Sequence, residues 1–199
     1  MKSSAQRPAA KTKRPVSAHG RIRIIGGRWK RTPLAVPRKE GLRPTPDRVR
    51  ETLFNWLFTL RGGLEGARVL DLFAGTGALG LEAASRGAAH VLLVERDAAL
   101  CTALTETCIK LKAAQVQLRQ GDGLQIARQL TGPFDLVFLD PPYDLRLLNA
   151  ALTAIDPLLA ENALVYAEND APLAFSGWQA VRQDRAGAVH YGLLQRANP

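Results

Sequence analysis

Asp71-Leu-Phe-Ala-Gly75-Thr-Gly77-Ala-Leu-Gly80 is the stretch from which the rest of the chain is read. An apolar strand over Arg68–Phe73 runs into a glycine turn, and a helix over Ala78–Arg86 follows it. That is where a doubly wound sheet binds nucleotide-like ligands, at the carboxyl end of its first core strand. Gly75 and Gly77 let the backbone approach a ligand without a Cβ clash. Folds that bind NAD, FAD and S-adenosylmethionine all carry such a turn, so the glycines alone do not choose among them. Asp71 favours one. A carboxylate in the strand end repels a pyrophosphate and suits a cationic amino group, as on the methionine moiety of S-adenosylmethionine.

Downstream, strands and helices alternate. Strands are expected at His90–Glu95, Gln115–Arg119, Phe134–Leu139 and Ala163–Glu168, with helices at Ala98–Lys112, Leu124–Leu130 and Leu145–Leu159 between them. Gln179–Asp184 and Val189–Arg196 read as two strands around a Gly turn. The fold class is therefore α/β, a doubly wound, mostly parallel Rossmann-like sheet of about seven strands with a closing antiparallel hairpin. Upstream, Arg21–Ile25 and Arg28–Arg31 read as strands about Gly26-Gly27, a small basic β extension. Thr45 is the expected N-cap, with Pro46 at the first helical position, of a helix to about Leu60 whose apolar stripe is Val49, Leu53, Trp56, Leu57 and Leu60.

Acids punctuate the strand ends. Glu95 is placed to accept both hydroxyls of a ribose, and Asp122, in Gly121-Asp-Gly123, to accept from an adenine amine. Each alone also reads as a helix N-terminal acid holding backbone N–H groups. Four acids (71, 95, 122, 140) ending four successive strands argue for a ligand. The last opens Asp140-Pro141-Pro142-Tyr143. Its carboxylate and the Pro141 carbonyl can accept from the two N–H groups of a planar amine. The prolines fix that backbone, and Tyr143 offers a ring face for a base.

Charge is uneven along the 199 residues. Residues 1–39 hold twelve Lys/Arg and no acid, and the remainder fifteen basic against eighteen acidic residues, so the net +9 comes from the N-terminal fifth. Such a block fits a polyanion, nucleic acid above all. Arg21, Arg23, Arg28, Lys30, Arg31, Arg38 and Arg43 are candidate phosphate contacts; Arg43 could equally brace the active site. Trp29 is either a stacking platform or packing for the hairpin. The expected organisation is a disordered basic tail over 1–18, a basic hairpin extension over 19–45 and a catalytic domain over 46–199. No run approaches the roughly 18 apolar residues a membrane span needs, no secretory segment opens the chain, and Cys101 and Cys108 show no disulfide or zinc spacing. A cytoplasmic protein without metal, and a monomer, is expected.

Further segments narrow the reading: Ile25-Gly-Gly-Arg-Trp29, Gly41-Leu-Arg-Pro-Thr45, Asp47-Arg-Val-Arg-Glu-Thr-Leu-Phe-Asn-Trp56 and Leu70 through Gly87. Together with the strand-end acids and Asp140–Tyr143, they resemble the bacterial ribosomal small-subunit methyltransferase D family, which methylates a guanine N2 in 16S rRNA. The resemblance covers roughly Arg21 to Asp144. It implies S-adenosylmethionine contacts at Gly75, Gly77, Glu95 and Asp122, with Asp71, Phe73, Ala74 and Gly123 beside them, and release of S-adenosylhomocysteine. It further implies a guanine amine held by Asp140, Pro141, Pro142 and Tyr143. The partner would be 16S rRNA or a small-subunit particle. Thr76 replaces a frequent Ser, Tyr143 a frequent Phe, and Thr107-Cys108 stands where an Asn is usual.

The residues leave competitors open. The Asp-Pro-Pro-Tyr logic serves adenine N6 or cytosine N4 in DNA as well as guanine N2. No insertion between Gly80 and Asp140 is large enough for a DNA-recognition domain. A non-catalytic RNA-binding protein would not need the cofactor acids, and a dinucleotide oxidoreductase leaves Asp140–Tyr143 unexplained.

Overall fold

The computed structural model describes residues 22–35, 45–142 and 145–197. Its centre is one seven-stranded sheet. Strands β1 (Arg68–Asp71), β2 (His90–Glu95), β3 (Val116–Gln120), β4 (Phe134–Leu139) and β5 (Leu159–Asn169) run parallel. β7 (Val189–Arg196) lies antiparallel between β5 and β6 (Trp178–Ala186), giving the order β3-β2-β1-β4-β5-β7-β6. The order reverses between β1 and β4, so a crevice for ligands is expected outside their carboxyl ends.

Helices cover both faces. α1 (Asp47–Arg61), α2 (Ala78–Ser85) and α3 (Ala98–Leu111) share a core cluster with Val69, Leu93, Phe138 and Tyr166. α4 (Gly123–Ala127) and α5 (Leu145–Ile155) share the other with Leu70, Val94, Val137 and Val165. Successive residues of each strand thus enter opposite clusters. Both sets are apolar because both faces are covered, which is why these strands read as unbroken hydrophobic runs.

Several boundaries differ from the sequence reading. Arg28–Arg31 is not a strand: Gly27–Trp29 forms a 3-10 turn, and the hairpin closes through an isolated antiparallel bridge between Arg23 and Pro33. Gly27 takes φ of 71°, and a Cβ there would lie 1.9 Å from the Ser85 carbonyl oxygen. Close approach to α2 therefore overrides the strand propensity around it. Trp29 is buried in the core, which settles its role as packing rather than as a platform for bases. α1 is capped by Pro46 and not by Thr45, whose hydroxyl is used elsewhere. Leu60, placed on the apolar stripe, is exposed, while Phe54 is buried in its stead. α4 stops at Ala127, and α5 gives way at Asp156 to a 3-10 turn, so β5 begins four residues before the strand expected at Ala163.

One ionic knot fixes the N-terminal hairpin. Glu82 of α2 is fully buried and accepts from the backbone N–H groups of Ile25 at 2.6 Å and Gly26 at 2.7 Å. Arg86 Nε stands 2.7 Å away and Arg50 Nη1 3.8 Å away. Arg50, itself fully buried in α1, donates to the Arg23 carbonyl and to Asp47. Ser85 closes the contact, donating to the Gly26 carbonyl and accepting from Trp29 N.

Glu82→Ala would strip the buried Arg50 of one of its two carboxylate partners, leaving Asp47, and orphan two amides. A loss of about 3–5 kcal/mol is expected in urea unfolding. Asp156→Ala, at an ion pair with Arg196 that is largely in solvent, should cost under about 1 kcal/mol in the same measurement.

Candidate active site

Parallel strands bring all their carboxyl ends to one edge, and the side-chain period of two decides which way each end residue points. Asp71, Glu95, Asp140 and Glu168 stand two residues beyond Val69, Leu93, Phe138 and Tyr166, all in the cluster beneath α1 and α2. Those four carboxyls therefore share a face. Their fields overlap: Glu95 raises the pKa of Asp71, and Asp71 and Glu168 raise that of Asp140.

The glycine turn is built to order this edge. Ala74 N donates to the Val94 carbonyl, and Gly77 N to the Ala74 carbonyl. Gly75 and Gly77 have φ of 54° and 75°. For Gly77 a Cβ would also meet Leu104 at 2.5 Å, whereas at Gly75 nothing lies nearer than the Phe73 carbonyl at 4.0 Å. Gly75 is thus required by its left-handed backbone and leaves open space above it. Asp71 is buried and accepts from Gly80 N at 2.9 Å. Burial chiefly, then the Glu95 charge, push it up to about 7 against those backbone donors.

Glu95 is half-buried; its two oxygens accept from Gly75 N and Asp97 N, each at 2.8 Å. Asp122 is exposed and caps α4, accepting from Gln125 N through Oδ1. Gly123 is buried, where a Cβ would press on the Leu72 carbonyl at 2.8 Å. Phe73 and Ala74 line the same turn. These acids do hold helix N-terminal amides, yet each carboxylate oxygen has a second lone pair, and the face above Gly75 is open. The residues fit a small ligand carrying a cation and hydroxyl donors.

Asp140 leaves β4 half-buried and receives the Thr45 hydroxyl on Oδ2 at 3.0 Å. Its pKa is raised well above the usual carboxylate range, first by desolvation and next by the Glu168 charge. Glu168 is buried and accepts from the Tyr166 hydroxyl at 2.7 Å; burial raises its pKa too. Pro141 is buried and Pro142 exposed. Tyr143 lies outside the described residues, as do Arg21, Arg38 and Arg43. Thr45 and Glu168 escaped the sequence reading. Glu168 could have been found as a fifth acid at a strand end; Thr45 looked like a helix cap and is 95 residues from its partner.

Arg23, Arg28, Lys30 and Arg31 are exposed on the docked hairpin. Arg23 is paired with Asp47 at 3.3 Å. Cys101 and Cys108 are free, with thiols raised by burial. Among the described residues no three His, Cys, Asp or Glu gather as a metal site, and no helix is long and apolar enough to cross a membrane.

A family profile described as Conserved hypothetical protein 95 matches residues 22–195. The chain is 42% identical over 186 residues to the Ribosomal RNA small subunit methyltransferase D of Escherichia coli K12, covering 90% of this chain and 92% of the relative. Its counterpart of that name in Haemophilus influenzae is 38% identical over 188 residues, covering 90% and 96%. A solved Escherichia coli structure, provisionally described as a methyltransferase, superposes with a TM-score of 0.79 at 40% identity, over 89% of this chain and 98% of that one.

Because the pKa of Asp71 is raised on folding, its protonated form contributes stability that is full below about 4 and is lost as pH rises through about 7. Asp71→Asn should remove that part of the slope. The stability of wild type relative to the variant is expected to fall by up to about 4 kcal/mol between those pH values, read by urea unfolding at each pH.

Proposed function

Because the chain belongs to the bacterial ribosomal small-subunit methyltransferase D family, we propose that it transfers a methyl group from S-adenosylmethionine to the exocyclic N2 amine of a guanine in 16S rRNA. The observation that carries the reading is the position of Asp140-Pro141-Pro142. It ends the strand beside β1 at the reversal of strand order, on the same face as Asp71 and Glu95. The rRNA substrate rests on the names of the relatives, and guanine N2 on the family resemblance.

Gly75, Gly77, Phe73 and Ala74 would cradle the cofactor, with Asp71 toward its amino group, Glu95 toward its ribose, and Asp122 and Gly123 toward its adenine. S-adenosylmethionine supplies an electrophilic methyl group on a positively charged sulfur. Asp71, close to half-protonated at neutral pH, would ionise fully beside a cation. The cluster of raised acids is therefore a reservoir of attraction for a positively charged ligand.

A guanine amine is a weak nucleophile because its lone pair is spread into the ring. Thr45 donates to Oδ2 of Asp140, and the open lone pairs of that carboxylate with the Pro141 carbonyl would accept from the two N–H groups. Accepting both favours a pyramidal nitrogen and stabilises the positive charge that develops on it. Positioning contributes much of the remainder. The target base must leave any stack to reach this edge, so a loop or flipped nucleotide is required. The basic tail and hairpin, residues 1–45, would bind phosphates with Arg21, Arg23, Arg28, Lys30, Arg31 and Arg43, and an rRNA substrate places the work in the cytoplasm.

Methylation with labelled cofactor should occur on 16S rRNA or small subunits and not on duplex DNA; label on DNA amines alone would overturn the assignment. Asp140→Ala should lower turnover by a factor on the order of 10²–10³ while calorimetry shows cofactor binding retained. Deleting residues 1–18, which carry five Lys/Arg, should flatten the salt dependence of RNA binding measured by filter retention.

A further inference from the structure

The start of α1 departs from the usual rule for a helix end. Helices commonly open on a Ser, Thr, Asp or Asn whose side chain accepts from a free amide of the first turn. Here the N-cap position falls on Pro46, with ψ of 148°, which has no side-chain acceptor to offer. Thr45 stands one residue too early to take its place. Proline disfavours the helical conformation in the residue before it, so the Thr-Pro order keeps Thr45 out of the first turn. α1 therefore begins with no side-chain cap. The Thr45 side chain, which has the chemistry to cap, is buried and directed elsewhere. Its hydroxyl donates to Asp140 Oδ2 at 3.0 Å, 95 residues along the chain.

We infer that Thr45 is a positioning residue for methyl transfer: its hydroxyl orients the Asp140 carboxylate and keeps it ionised to receive the target amine. This rests on the function proposed above. A hydroxyl hydrogen directed at a carboxylate oxygen favours the charged form. Asp140 has need of that. Desolvation raises its pKa first and the charge of Glu168 on β5 next; Thr45 lowers it, and Asp71 on β1 raises it again. Tyr166 of β5 also faces the group, since Asp140 raises its pKa, but its hydroxyl is engaged with Glu168. Of these neighbours Thr45 alone favours the carboxylate. A protonated Asp140 would set a donor against the N–H groups from which it must accept. An ionised one keeps its acceptors and stabilises the positive charge that develops on the nitrogen.

Orientation comes from the same bond. The terminal torsion of an aspartate is broad when nothing holds it, and a fixed donor on Oδ2 narrows it. Thr45 suits the task because a β-branched side chain is stiff at χ1. Its backbone is anchored in turn, for the start of α1 is tied down by the buried Arg50, which donates to Asp47 and to the Arg23 carbonyl. The hydroxyl is thus carried by a secured helix start and not by the strand end that it serves.

Thr45→Val removes the hydroxyl and keeps the shape, and Thr45→Ser keeps the hydroxyl. No helix cap is lost in either, so both should stay folded and bind S-adenosylmethionine as wild type does, read by calorimetry. Carboxyl ¹³C NMR of the protein without ligands reads Asp140 without reference to activity. Its midpoint should rise by about one unit or more in Thr45→Val and stay near wild type in Thr45→Ser. The ionised form is present above the pKa and lost as pH falls through it, so the acid limb of kcat should move up in Thr45→Val. With 16S rRNA or small subunits as substrate, kcat of Thr45→Val should fall roughly tenfold near neutrality at unchanged KM. Part of that loss should return on the alkaline side, and Thr45→Ser should keep most of the wild-type rate. An unmoved Asp140 midpoint in folded Thr45→Val, or Thr45→Ser as impaired as Thr45→Val, overturns the inference. The expected NMR shift in a protein whose wild type methylates no rRNA overturns the proposed substrate instead, and leaves the effect of Thr45 on Asp140 standing.

Discussion

The buried Glu82–Arg50 contact is the constraint on which the arrangement of the site depends. Two ions taken out of water are costly unless their remaining hydrogen-bonding capacity is filled. Glu82 fills it with two amides of the N-terminal hairpin and with Arg86; Arg50 donates to the Arg23 carbonyl and Asp47 and leaves its Nε without a hydrogen-bond partner. The knot therefore joins three separate parts of the chain: the hairpin, α1 and α2. α1 begins two residues after Thr45, so fixing its start fixes the hydroxyl that reaches Asp140. α2 begins at Ala78 with Gly77 as its N-cap, so fixing it also fixes the glycine turn. The basic extension is accordingly continuous with the core: Ile22, Ile24, Trp29 and Leu34 are buried in the same cluster as Leu53 and Phe138.

The edge above the strands concentrates like charge, and the fold offsets this in two ways. The amino-terminal ends of α2, α3 and α4 point toward it, and their unpaired N–H groups favour negative charge. Gly80 N on Asp71, Leu100 N on Asp97 and Gln125 N on Asp122 are the individual instances. Where the helices do not reach, at Asp140 and Glu168, neutral hydroxyls of Thr45 and Tyr166 stand in. These cost no further desolvated charge but compensate less, and burial raises the pKa of both Asp140 and Glu168. An edge that is under-compensated in isolation is the natural place to receive a cationic ligand.

Much of this was legible in the chain. The alternation of apolar runs with amphipathic segments gave a mostly parallel sheet with a closing hairpin, and the sheet has that form. Asp71, Glu95 and Asp140 were found because each ends an apolar run, and a buried run that stops on an acid is a local signal. The failures have local causes as well. Arg28–Arg31 carries strand-like residues, yet contact of Gly27 with Ser85 bends it into a 3-10 turn. Thr45 before Pro46 has the chemistry of a cap, but a strand end 95 residues away competes for its hydroxyl. Glu168 was hidden by its strand, in which Tyr166 and Val165 read as ordinary core.

What the chain by itself determined is the set of elements and the end of each at which chemistry-bearing residues lie, because hydrophobic period and turn chemistry act over a few neighbours. Only the tertiary structure decided which of those residues meet. β7 inserts between β5 and β6, the Thr45 hydroxyl reaches Asp140 95 residues on, and Ile25 finds Glu82 57 residues on. Such meetings depend on strand order and on the satisfaction of buried polar groups, which are properties of the whole packed sheet and are written in no single segment.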